Sequence, residues 1–90
     1  DTAMHELSLI QDLLQKIEQV AQEHQATQVT GVTVRLGALT HLSADHFREH
    51  FAEAAVGSVA EGATLEVEVD TDTEDPNAQD ILLMSVDAEV

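Results

Sequence analysis

With 90 residues the chain has room for one small domain, which buries about 60% of the surface its unfolded form exposes. Three basic residues, Lys16, Arg35 and Arg48, face eighteen acidic ones for a formal charge of −15. That balance excludes nucleic-acid binding that tracks phosphates, and it repels anionic membrane surfaces. The same field attracts cations and basic partners, although solubility alone also accounts for it. No cysteine is present, which rules out disulfides, thiol nucleophiles and thiolate zinc sites, and two Phe with no Trp or Tyr leave the core to aliphatic side chains. No apolar run approaches the roughly 20 residues of a membrane span and no signal peptide opens the chain, so a cytoplasmic protein is expected.

In chain order, Asp1-Thr2-Ala3 reads as an expression scar ahead of Met4, and residues 4–90 as a single domain. From Leu7 to about Glu23, Ile10, Leu13, Leu14, Ile17, Val20 and Ala21 recur at three- and four-residue steps, one face of a helix. Val29 to Leu36 switches to period two, with Val32, Val34 and Leu36 on one face and Thr33 and Arg35 on the other, and Gly37 ends the strand. A second helix starts at Ser43 as N-cap, with Asp45 in its first turn and Leu42 placed to staple onto Phe47. Its apolar stripe runs Phe47, Phe51, Ala54, Ala55 and closes at Gly57 or Ser58.

Ala63 to Asp70 alternates aliphatics with acids, a strand with one wet face. Residues 70–80 form a polar, turn-rich connection. In the last strand Leu82, Met84, Val86, Ala88 and Val90 alternate with Leu83, Ser85, Asp87 and Glu89. This puts Ile81 and Leu83 on the solvent face, where they mark a covered face, an edge-to-edge partner or isolated surface hydrophobes. The fold class expected is α+β: a small three-stranded mixed sheet with two helices, in the order helix-strand-helix-strand-strand. Strand order stays open between parallel and antiparallel neighbours.

Five histidines invite a metal reading. His46 and His50, at i and i+4 on the second helix, share a face and could bracket one divalent ion, yet they supply only two ligands. His41 could contribute near that helix start, and His24 lies in the run-out of the first helix. The acidic stretch from Asp70 to Glu74 resembles the start of a calcium loop but has Asp75 where the sharp turn needs glycine and Ile81 where the closing glutamate belongs. No phosphate-cradling glycine loop and no nucleophile context is visible, so the chain reads as a non-enzyme.

Met4-His5-Glu6 stands apart by position. Were Met4 the first residue, its amine, the following backbone nitrogens and the His5 imidazole could close around one ion in the square-planar, nitrogen-rich geometry that suits Ni(II) or Cu(II). With Asp1-Thr2-Ala3 attached, that amine is tied up in a peptide bond. The competing reading makes Met4-His5 an ordinary dipeptide before a helix and Glu6 a favourable first-turn charge.

Three ordered motifs carry a resemblance: Met4-His5-Glu6-Leu7-Ser8-Leu9, the strand end Val34-Arg35-Leu36-Gly37-Ala38-Leu39, and Ala60-Glu61-Gly62-Ala63-Thr64-Leu65-Glu66. Together they resemble the HypA/HybF family of hydrogenase nickel metallochaperones. The resemblance implies an α/β nickel-binding domain with Met4, His5 and Glu6 as the metal motif. It also implies delivery of Ni(II) to the large subunit of a [NiFe]-hydrogenase in concert with the accessory GTPase HypB, and in some relatives service to urease. The family inserts a zinc domain with two Cys-x-x-Cys pairs between the last two strands, where this chain has only residues 70–80, so zinc is not expected. The alternative is a metal-independent adaptor whose sheet edge pairs with a partner or with itself, a homodimer through the last strand, using Ile81 and Leu83.

Overall fold

The computed structural model describes residues 2–40 and 42–89, with side chains from residue 6 onward. Its elements are α1 (Thr2–Glu23), β1 (Gln28–Leu36), α2 (Ala44–Ala54), β2 (Thr64–Val69) and β3 (Ile81–Glu89), the expected order and α+β class. Helix α1 begins five residues before the apolar periodicity does, so Met4-His5-Glu6 lies within it and not ahead of it. Nothing in residues 2–6 opposes this, since Ala, Met and Glu are good helix formers and no Gly or Pro interrupts them. Ile10, Leu13, Ile17 and Ala21 form its buried stripe. The helix closes in a Schellman turn: Ala26 N–H donates to Ala21 C=O at 2.8 Å and Gln25 N–H to Gln22 C=O at 3.1 Å, with Gln25 at φ 55°.

The open question of strand order resolves as β2-β1-β3, with β1 central. Strand β2 runs parallel to β1 and β3 antiparallel to it. The connection through α2 supplies the crossover that a parallel pair requires. Both helices cover one face: α1 packs on β3, α2 on β2, and the two helices touch. Val29, Val32, Val34 and Leu36 of β1 meet Phe47 and Phe51 of α2 in the shared core. The other face is polar, and there Arg35 reaches across to Glu68 at 3.1 Å.

Helix α2 starts as its sequence indicates. Ser43 is extended (φ −79°, ψ 135°) and its Oγ accepts from the His46 N–H, while Leu42 packs against the cluster that contains Phe47. The helix ends at Ala54, before Gly57, and turns carry the chain on to β2.

Strand β3 departs from its expected phase. Ile81 and Leu83 pack against the core and do not face solvent, whereas Met84 is exposed. The cause is a bulge: Thr33 pairs with Ser85 and Val34 with Leu83, leaving Met84 as the extra residue. One inserted residue reverses the parity of a strand, so Ile81 and Leu83 point inward on one side of it and Val86 on the other.

The start of β3 is tied to the end of β1 by the 70–80 connection. Gly37 N–H donates to Asp80 C=O at 3.0 Å and Leu39 N–H to Ala78 C=O at 2.7 Å. Buried Ala78 lies so close that a Cβ on Gly37 would stand 2.2 Å from its carbonyl oxygen. Only glycine fits that approach.

Candidate metal site at the helical end

Glu6 lies on α1 in the same register as its core residues: positions 6, 10, 13 and 17 follow one stripe, and the first of them is an acid. It is 8% exposed, the sole buried charged residue among the described ones. A carboxylate so placed needs a partner. His50, 44 residues away on α2, supplies it, with Nδ1 2.7 Å from Glu6 Oε1. The carboxylate accepts, so the shared proton sits on Nδ1, and in the neutral ring Nε2 keeps the free lone pair.

The Glu6 hydrogen bond and charge raise the His50 pKa above its ordinary 6.5, with burial opposing and Glu53 and Glu49 adding smaller upward pushes. His46, one turn earlier, lies alongside His50 with ring centroids 6.3 Å apart and planes at 25°. Beside the pair a shallow groove of about 380 Å³ is lined by Leu7, Ile10, His50, Glu53 and Ala54.

Of the residues singled out in the sequence, the fold therefore brings Glu6 to His50 and leaves His46 beside it. Met4 and His5 lie in the first turns of α1, and their side chains are outside the described ones, as is His41. His24 follows the opposite end of α1, 18 residues from Glu6 and about 27 Å along the helix axis. Sequence reasoning missed the Glu6–His50 pair. The signal available was the acid in the apolar register, which calls for a buried partner without saying which.

An imidazole and a carboxylate suit borderline divalent cations. Among the described residues no three or more His, Asp or Glu side chains converge as a ready metal cage. No helix among the described residues is long and apolar enough to cross a membrane.

Comparison with known proteins supplies the class. The family model for "Hydrogenase/urease nickel incorporation, metallochaperone, hypA" matches residues 4–73. The hydrogenase maturation factor HypA of Escherichia coli K12 is 42% identical over 65 residues, 72% of this chain and 56% of that protein. HypA of Archaeoglobus fulgidus is 37% identical over 67 residues, 74% of this chain and 61% of its own length. The solution structure of the Ni metallochaperone HypA from Helicobacter pylori superposes with a TM-score of 0.77 at 17% identity, covering 93% of this chain and 97% of that one, a likeness of fold. The chain belongs to the HypA/HybF family, a family of metallochaperones and not of enzymes. It matches little more than half the length of the curated relatives above.

Proposed function

We propose that this chain is the nickel-carrying part of a HypA-type metallochaperone, holding one Ni(II) at Met4-His5-Glu6. In this reading the ion is cargo, passed to the large subunit of a [NiFe]-hydrogenase together with a HypB-type GTPase in the cytoplasm, with a urease system as the alternative client. The observation that carries it is the anchoring of Glu6: the third residue of the motif is fixed to α2 through His50 at 2.7 Å, while Met4 and His5 precede it in the first turns of α1.

The first N–H groups of any helix lack acceptors within it, so this turn loses few hydrogen bonds on opening. Square-planar capture through backbone nitrogens requires that opening. Glu6 marks where it would stop, because its carboxylate is held from the neighbouring helix. A claw on a turn that opens and closes can be dismantled one ligand at a time, which suits hand-over to a partner's ligands. Residues 70–80 occupy the place of the family's zinc domain, and with no cysteine the chain offers no thiolate zinc site there.

Ni(II) titration of a chain starting at Met4, beside the same chain with His5→Ala, tests the reading. We expect the variant to lose the square-planar absorption and most of its affinity, and equal affinities would sink the role of His5.

A second reading, a metal-independent adaptor or homodimer through the last strand, draws on the open edge of β3. Its outward side chains are Leu82 and Met84, with Met84 46% exposed, and not the Ile81 and Leu83 indicated by simple alternation. Sedimentation that reports a monomer at every concentration, unchanged by Met84→Asp, would dispose of self-association.

A further inference from the structure

We infer that His46 and His50 form a second site for a borderline divalent cation, chelated through the outer edges of the two imidazoles, with Glu6 as the outer carboxylate that orients His50. The site differs from Met4-His5-Glu6 in its ligands, and Glu6 is the residue the two have in common.

Three observations converge on it. Residues at i and i+4 of a helix stand on one face, and here the rings already lie side by side at 6.3 Å with planes only 25° apart. Metal–nitrogen bonds of about 2.0–2.1 Å need the two ring nitrogens to close to about 3 Å. His46 is exposed, and none of the described hydrogen bonds engages its ring, so a rotamer change can bring it in. Second, His50 Nδ1 is committed to the Glu6 carboxylate at 2.7 Å. This is the carboxylate–histidine–metal arrangement in which an outer acceptor fixes the tautomer, orients the ring and makes the remaining nitrogen a better donor. Third, Glu49 and Glu53 flank His50 on α2 in a chain of charge −15, so the local potential favours a cation.

Two protein nitrogens leave the other positions to water. Such a site exchanges its metal readily, as a landing place beside a carrier motif would need to. Because Glu6 is buried on α1 and His50 sits on α2, occupation also clamps the two helices at this end. Imidazole donors favour Ni(II), Cu(II) and Zn(II) over the hard cations Mg(II) and Ca(II).

The test removes the terminal motif first. Ni(II) is titrated calorimetrically into the chain carrying His5→Ala at about pH 8, where ordinary imidazoles are neutral, and histidine ring resonances are followed by NMR. We expect one equivalent to bind, with His46 and His50 resonances broadening together. Adding His46→Ala, an exposed change that leaves the fold intact, should abolish that equivalent. Adding Glu6→Gln, with folding checked by circular dichroism, should weaken it about 10- to 100-fold. Unchanged affinity after His46→Ala, or broadening of His50 without His46, would overturn the inference. The outcome is independent of the nickel-claw reading, whose own failure shows instead as His5→Ala having no effect on the chain that starts at Met4.

Discussion

Glu6 and Asp72 are two of eighteen acids in this chain, and the fold uses them in opposite ways. Glu6 is 8% exposed, set among core residues of α1, and its carboxylate is satisfied by His50 from another element. Asp72 is exposed in the 70–80 connection, where it accepts from the N–H of Glu74 at 3.0 Å, two residues on. Asp70 and Asp75 do the same for Asp72 and Asn77 at 3.1 and 2.7 Å. Three successive Asx turns spend those carboxylates on local backbone. An acid-rich segment is therefore not a cation site by virtue of its acids. What marks the helical end is one carboxylate that the fold has removed from water and paired with an imidazole.

That contrast can be broken or sharpened by substitution. The largest effect is expected at the close approach that seats the connection: Gly37→Ala places a methyl against the Ala78 backbone, which cannot rotate away as a side chain could. We expect a loss of about 1–3 kcal/mol by urea denaturation. It should arise at the β1 end, leaving the His50 titration by NMR unchanged. A large effect on His50 would show the two regions to be coupled.

The second prediction concerns the pair itself. His50 has its pKa raised in the folded state, so the folded protein binds the proton more tightly than the unfolded chain. The stabilisation is fully present below the unfolded value of about 6.5 and is lost as pH rises through the higher folded value. The difference between the thermal melts of wild type and His50→Ala should be largest just below pH 6.5 and shrink as pH rises through the folded pKa, leaving the part due to the neutral Nδ1–H bond to Glu6. In Glu6→Gln the His50 titration should move down toward 6.5, because the hydrogen bond and the negative charge that chiefly raise it both come from the Glu6 carboxylate. An unmoved titration would contradict the pairing.

The smallest effect should come from the connection's acids. Asp72→Ser keeps a side-chain acceptor for the Glu74 N–H and removes one surface charge, and stability should stay within about 0.5 kcal/mol of wild type. Ni(II) affinity should not change. A fall in affinity would move the cation-binding region from the helical end to the connection.

Much of the fold was legible because it rests on local periodicity. The stripe Ile10, Leu13, Ile17, Ala21, the alternation Val32, Val34, Leu36 and the Ser43 cap each occupy their indicated places. The face of β3 was not legible, because a bulge at Met84 depends on how β1 and β3 register and leaves no mark in alternation counted along one strand. Nor was the start of α1 visible from apolar spacing, since the repeat counted along the sequence begins only at Leu7 while the helix begins at Thr2. At the site, the motif Met4-His5-Glu6 and the His46/His50 spacing could be read directly. Their meeting through Glu6 could not.

The amino-acid sequence by itself determined the elements, their caps, the charge and the family to which the chain belongs, because these depend on neighbours within about a turn of helix or on motifs of a few residues. The tertiary structure decided strand order, which face of β3 is buried, and that Glu6 pairs with a histidine 44 residues away. Those are contacts between elements, fixed by how two helices pack over one sheet face. No window of sequence short enough to show a period contains both partners.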